Sequence, residues 1–374
     1  MSIIKAGRSY LIGNGRSPYY LNATLASTVS GMNLDQESIK IFGAECDAQT
    51  WHVFPLDNEL YLFANKNSGL IMKIFDDSTE PGVSVRQYEL DSPDRAPSQT
   101  WLLEHISGNT YQVRNQNSQL FLKVRNSSLI RGANIEQTAD ADPDSMKSRQ
   151  WEFNVRDKFE RVLNLPTFEG VTIGDIHRLT SFEHPDRGTT DPVEIANFAY
   201  SFPLITDQAY DRRRQAQLNP YYILRRYGYW SRVFRYEHGG ASEYTEKQTT
   251  HVGLTSLNST QVEKTTSTSV SAGASFGFKG FASSISETFA EQMKVTVTNQ
   301  EITETWAERE ISRTYPHGIR VSEALWYRED NYVLERLDGT MLIKWTVRDE
   351  NAAISDGWPR GAVKELEQYR SRLT

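Results

Sequence analysis

A single cysteine, Cys46, stands among the 374 residues, so no intrachain disulfide can form and packing alone must hold the fold. No run of eighteen apolar residues exists. Hydrophobic residues make up 38% of the chain and its mean hydropathy is −0.58, which excludes a transmembrane helix. The opening stretch MSIIKAGRSYLIG has too short an apolar run for a secretory signal, so conventional export is not expected. Positive charge is in the minority: 41 Lys and Arg face 48 Asp and Glu, a net charge of −7. That balance argues against nucleic acid as a partner. The seven histidines show no HExxH or other close metal spacing, and no carboxylate pair stands apart as acid and base. Gly273-Ala-Ser275-Phe-Gly277 has the spacing of a serine-hydrolase elbow but lies inside a Ser/Gly alternation with no helix predicted behind it. No catalytic residue, metal or cofactor is expected, and the chain reads as a non-enzyme.

What the chain has in plenty is aromatic and hydroxyl side chains. Eighteen Tyr, 16 Phe and 8 Trp, with abundant Ser and Thr, make an all-β composition. The first third is a threefold repeat. Gln49-Thr50-Trp51 returns as Gln99-Thr100-Trp101 and then as Arg149-Gln150-Trp151. A second pattern runs in phase with it: Asn14 and Ser17 recur as Asn65 and Ser68, then as Asn115 and Ser118, each set between apolar runs. Every unit reads as strand, Asn/Ser turn, strand, and a later strand carrying the Trp. This resembles the ricin-B-type β-trefoil. The resemblance implies that the three Trp fill the core, that the Gln ties neighbouring backbone, and that shallow pockets between turns bind sugar. Classical members of that family place an Asp after the second strand's aliphatic residue; here Asn22, Lys73 and Lys123 stand there. The first lobe is therefore the best-kept sugar site, with Tyr20, Asn22 and Gln49 as its candidate residues. The chain is divided at 1–156 for the trefoil and 157–374 for the body.

Within the body, Phe168–Asp211 reads as irregular structure and short strands. Arg212-Arg213-Arg214 is a candidate site for trypsin-like cleavage. Strands are expected at Gln248–Gln261, Lys294–Thr298, Glu301–Arg313, Leu325–Tyr332, Val333–Leu337 and Met341–Val347, with Asp338-Gly339 as a hairpin turn. The tail Gly361–Leu373 has the spacing of a short amphipathic helix.

Thr265–Phe289 has the most informative pattern. Val270, Ala272, Ala274, Phe276 and Phe278 alternate with small residues; beyond Lys279-Gly280 the large apolar residues are Phe281, Ile285 and Phe289. The change of frame predicts a hairpin with Lys279-Gly280 as its two-residue turn. Each arm, Val270–Phe278 and Phe281–Phe289, has nine residues, close to the roughly 9–11 that a tilted strand needs to cross a bilayer. An amphipathic hairpin lying over a soluble core would show the same alternation.

The block Asn219-Pro-Tyr-Tyr-Ile-Leu-Arg-Arg-Tyr-Gly-Tyr-Trp230 is similar to a signature of the binary-toxin-type (Bin-like) pesticidal crystal toxins of spore-forming bacilli. These join a Gln-x-Trp trefoil to an aerolysin-like pore-forming body. The resemblance implies an all-β fold, a trefoil followed by an elongated aerolysin-like sheet with a short C-terminal helix. It also implies crystal deposition in the bacterial cytoplasm without a signal peptide, then release and trimming in an insect gut. Its partners would be the gut-cell membrane, a receptor glycan or glycoprotein, further copies of itself in a membrane oligomer, and in some members a second toxin component. On that reading Val270, Ala272, Ala274, Phe276, Phe278, Phe281, Ile285 and Phe289 face lipid. A non-lytic lectin or agglutinin is the alternative.

Overall fold

The computed structural model describes residues 4–92, 96–139, 146–255 and 259–371. The fold is mostly sheet with a few short helices. Twelve strands form the head: β1 (Arg8–Asn14), β2 (Tyr20–Ala23), β3 (Leu34–Glu37), β4 (Thr50–Pro55), β5 (Leu60–Asn65), β6 (Ile71–Ile74), β7 (Val85–Tyr88), β8 (Thr100–Ser107), β9 (Thr110–Asn115), β10 (Phe121–Val124), β11 (Ile135–Thr138) and β12 (Gln150–Lys158). β12 pairs antiparallel with β1 and so joins the last lobe to the first. One short helix, α1 (Gly43–Ala48), precedes β4.

The repeat is legible in the hydrogen bonds. Trp51, Trp101 and Trp151 are fully buried in one core. Their indole N–H groups donate to the carbonyls of Leu21, Met72 and Leu122 at 3.1, 3.3 and 3.0 Å. Asn14, Asn65 and Asn115 each close an Asx turn, their Oδ1 atoms accepting from backbone amides two and three residues on. A third in-phase set, Gln36, Gln87 and Gln137, was not singled out from the sequence. Each is fully buried. Each accepts from the hydroxyl of Ser17, Ser68 or Ser118 in its own lobe. Each then donates to two carbonyls of a neighbouring lobe: Ser128 and Ile130, Ser27 and Val29, Ser78 and Glu80. These three amides stitch the lobes together.

A short helix α2 (Glu160–Leu163) follows β12. The body is a six-stranded sheet in the order β13-β14-β20-β21-β15-β19. Its strands are β13 (Val193–Ser201), β14 (Tyr221–His238), β15 (Tyr244–Leu254), β19 (Trp306–Tyr315), β20 (Val321–Arg336) and β21 (Met341–Trp358). Helix α3 (Arg212–Leu218) precedes β14, and helix α6 (Arg360–Arg370) closes the chain. The two strands expected at Leu325–Tyr332 and Val333–Leu337 are one continuous β20, because both flanking strands pair along its length. Phe168–Asp211 is less irregular than expected: Val193–Ser201 pairs with β14 as an edge strand. The aromatic block lies on β14, where Tyr221, Tyr222, Ile223 and Leu224 are buried. It serves as core at this point.

Head and body share a core. Phe54, Leu56 and Leu62 of the head pack in the same cluster as Phe198, Phe202, Tyr221 and Leu334 of the body. His52 crosses the joint, its Nε2 bonded to the Ala216 carbonyl of α3 at 2.8 Å.

Candidate functional site

β15 and β19 form a hairpin stem, paired antiparallel from Tyr244 with Tyr315 to Gly253 with Trp306. Their loop is the whole stretch 255–305, which contains the predicted hairpin. Its described residues are folded back against the body. It holds α4 (Ser259–Thr266), the three-residue strands β16 (Thr268–Val270) and β17 (Phe276–Phe278), a 3₁₀ stretch at Gly280–Ile285, α5 (Ser286–Met293) and β18 (Val297–Thr298). The expected strand Gln248–Gln261 therefore ends at Leu254 and gives way to α4, with 256–258 outside the described residues. The expected strand from Glu301 begins only at Trp306.

The two nine-residue arms are also corrected. β16 and β17 do pair, Val270 with Phe276, but the reversal lies at Ser271–Ser275, where Ala274 has φ 61°, and not at Lys279-Gly280. The second arm is helical. Phe281, Ile285 and Phe289 are spaced by four, a spacing that suits one face of a strand and one stripe of a helix equally. Ser283 and Glu287 would break the apolar face of a strand; on the helical path they are exposed.

Burial nevertheless follows the apolar set. Val270, Phe276, Phe281, Ile285 and Phe289 are buried in one core, Ala274 and Phe278 pack half-buried against it, and Ala272 is buried in a separate cluster with Val252, Ala307 and Ile311 of the stem. Phe289 is the hub, its ring centroid 5.2 Å from Phe198, 5.8 Å from Tyr200, 5.5 Å from Phe276 and 5.1 Å from Phe278. Polar bonds fix both ends of the segment. The Thr206 amide donates to the Thr265 carbonyl at 2.9 Å. The buried Arg226 guanidinium donates to the carbonyls of Met293 and Lys294, both at 2.6 Å, and pairs with Asp330 at 2.6 Å. Both terminal nitrogens of the guanidinium thus meet charge-assisted or carbonyl acceptors, while its Nε is buried without a hydrogen-bond partner.

The sugar-site residues are only partly brought together. Asn22 and Asp35 face each other across β2 and β3, both buried, with Asn22 Nδ2 donating to Asp35 Oδ1 at 2.8 Å. Burial pushes the Asp35 carboxyl above its usual range. Tyr20 lies half-buried on the same strand. Gln49 is fully buried, with Oε1 accepting from the Lys40 amide and Nε2 donating to the Ser38 carbonyl, both at 2.8 Å. Its amide is spent on backbone and has no surface for a sugar. Gln99 makes the equivalent bonds to Asp91 and Glu89. Lobe 2 has a cation at the Asn22 position, Lys73, paired with Asp77 and Asp91.

Arg212, Arg213 and Arg214 begin α3, with Asp211 capping it through the Arg214 amide at 2.7 Å. Arg212 donates to the carbonyls of Phe202 and Ile205 and to Gln215, and its carbonyl lies against Gly69 of the head. A helix anchored in this way does not offer the extended backbone that proteases take from loop tips. Among the described residues no group of three His, Cys, Asp or Glu is placed to hold a metal ion, and no helix is long and apolar enough to cross a membrane.

Residues 195–360 match the family described as Insecticidal Crystal Toxin, P42. Residues 3–88 match the ricin-type beta-trefoil lectin domain-like family. No curated protein matches the chain. Among solved structures the fold is similar to that of Cry35Ab1, with a TM-score of 0.72 and 15% identity over 95% of this chain and 91% of that one. Partial likenesses are to a designed threefold-symmetric protein, ThreeFoil (TM-score 0.35, 28% identity, 39% of this chain and 96% of that one), and to the Polyporus squamosus lectin (0.34, 14%, 41% and 50%).

Proposed function

We propose that this chain, Bin-like in both its ricin-type trefoil head and its P42-type body, is an insecticidal pore-forming toxin. The head binds a glycan or glycoprotein of the gut-cell surface. The bodies assemble on the membrane, and the stretch 255–305 leaves its packed form to cross the bilayer as a hairpin. An isolated hairpin cannot satisfy its edges in lipid, so several copies must close a barrel.

The register of the stem carries this reading. Each step up the β15–β19 ladder moves one residue forward on β15 and one back on β19, and the Leu254 amide already continues it to the Thr305 carbonyl at 2.9 Å. Extended without a slip, the ladder pairs Val270 with Phe289, Ala274 with Ile285 and Phe278 with Phe281. Lys279-Gly280 is then the two-residue turn, the same turn that the alternation of side chains predicts. The faces agree as well. Thr250, Val252 and Leu254 on one strand, with Ala307 and Ile311 on the other, are buried, and their parity runs directly into the apolar sets of the two arms. Ser269, Ser271, Ser275, Ser284, Ser286 and Thr288 would then face the lumen.

The energetics suit a stored segment. Burying Phe276, Phe281, Ile285 and Phe289 is worth about 6–12 kcal/mol at roughly 1.5–3 kcal/mol per side chain. That sum holds them in the body against water, while lipid offers an equally apolar environment. The test is dye release from liposomes carrying gut-membrane lipids and proteins, with and without limited trypsin treatment or a second toxin component. Asp at both Phe276 and Phe281 should abolish leakage while leaving head binding intact, since a charge at bilayer depth costs a few kcal/mol per chain. Leakage that survives the double change would reject the hairpin. Glycan-dependent agglutination without leakage from the unaltered chain would favour a lectin instead.

A further inference from the structure

The first turn of α5 is capped from the head. Ile285, the residue at its N-cap, makes no side-chain cap bond. Asp57, in the turn between β4 and β5, supplies it from 230 residues away. Its Oδ2 accepts from the Glu287 amide at 2.9 Å, and its Oδ1 accepts from the Thr288 amide at 3.0 Å and the Thr288 hydroxyl at 2.6 Å. Asp57 is only 8% exposed, so water competes weakly for these bonds. A carboxylate at a helix N-terminus is favoured both by the free amides and by the helix dipole. Beside it, Phe54 and Leu56 of the head pack in the same core as Ile285 and Phe289.

We propose that Asp57 is a latch by which the head holds the membrane-inserting segment in its stored form. Movement of the head against the body on receptor engagement would withdraw the cap and free α5. The proposal rests on the pore reading, because α5 lies in the second arm of that hairpin. In the extended register Glu287 and Thr288 pair with Ala272 and Ser271, so the bonds to Asp57 exist in the stored form alone. An interaction made in only one of two states shifts their balance by its whole free energy. For a lost cap the shift is on the order of tenfold.

The full-length chain tests this with Asp57→Ala and Thr288→Val. Amide hydrogen exchange, followed without membranes, should speed up about tenfold across 281–293 in the Asp57 variant and less in the Thr288 variant. Exchange in the head strands should stay unchanged, and dye release from the liposomes described above should start correspondingly faster. Unchanged exchange at 281–293, or an equal rise throughout the head, would overturn the latch. A covalent version guards against a folding defect: Asp57→Cys with Thr288→Cys in a Cys46→Ser background. Oxidised, it should bind liposomes without leakage; reduced, it should leak. Leakage from the oxidised form would overturn the proposal. If the unaltered chain never permeabilises liposomes, the pore reading fails on its own, and the exchange data still decide whether Asp57 restrains α5.

Discussion

His52 should make the head–body joint acid-labile. Its ring is fully buried, with Phe54 and Phe159 at 5.9 Å and Phe202 at 6.3 Å. Nε2 is bonded to the Ala216 carbonyl, so it holds the proton of the neutral ring, and Nδ1 has no hydrogen-bond partner. Protonation would place an unpartnered N–H and a charge in that site. Burial accordingly pulls the imidazole down from 6.5 to about 4, partly offset by the bond to Ala216, with Lys66 lowering it further. Below pH 6.5 the unfolded chain takes up a proton that the folded chain resists. The stability His52 contributes is therefore complete at neutral pH and is lost as pH falls through that window toward 4. At about 1.4 kcal/mol per unit the loss is roughly 3 kcal/mol. Urea unfolding of the full chain at pH 7, 6, 5 and 4.5 reads it directly. Against His52→Gln, which can still donate to Ala216 but does not titrate, the unaltered chain should lose about 2–3 kcal/mol more over that range. Parallel pH profiles for the two proteins would refute the reasoning.

Two further changes probe the scaffold. Gly253 sits at the root of the stored loop with φ 76°, and an added Cβ would lie 2.6 Å from both the Ala272 Cα and the Thr305 carbonyl oxygen. Gly253→Ala should therefore cost about 2 kcal/mol of stability, measured by thermal or urea melts; an unchanged midpoint would show that the loop relaxes freely. Gln87→Leu removes the acceptor for the buried Ser68 hydroxyl and the donor to the carbonyls of Ser27 and Val29 in the neighbouring lobe. Urea unfolding followed by tryptophan fluorescence should report a loss of about 1–3 kcal/mol, with Gln137→Leu similar, and a neutral result would deny the amides their role between lobes.

The trefoil was legible because its signal is repeated. Trp51, Trp101 and Trp151 announce themselves by spacing, and so do Asn14, Asn65 and Asn115. Gln36, Gln87 and Gln137 recur in the same phase and could have been found by that rule; a glutamine between polar neighbours attracts less notice than a tryptophan. Gln49 was legible as a backbone tie and mistaken as a sugar contact, because a motif residue names a family without saying which of its atoms stay exposed. The alternating apolar residues of the stored segment were identified, whereas Val262, Ala282 and Met293, buried in the same core, and the segment's secondary structure were not. Spacing by four at Phe281, Ile285 and Phe289 fits two conformations, and only Ser283 and Glu287 speak for the helix. The Asp57 cap was beyond reach, since nothing local in Leu56-Asp57-Asn58 points to a helix more than two hundred residues downstream. The long strands β20 and β21 were shortened for a related reason: the first was split between Tyr332 and Val333, where only its pairing on both sides shows that it continues, and the second was stopped at Val347, because the charged residues beyond it look like a break until Arg348 is seen paired with Glu329 and Glu350 with Arg309.

The most direct test is to place an environment-sensitive fluorophore on single cysteines, in a Cys46→Ser background, at each position from Val270 to Phe289 and read its emission on membranes. The extended register predicts blue-shifted emission and quenching by lipid-borne quenchers at even positions from 270 to 278, then at odd positions from 281 to 289, with the frame changing at Lys279-Gly280. A repeat of three to four through 281–289, or emission unchanged from solution, would mean that the segment stays as α5 and that no hairpin enters the bilayer.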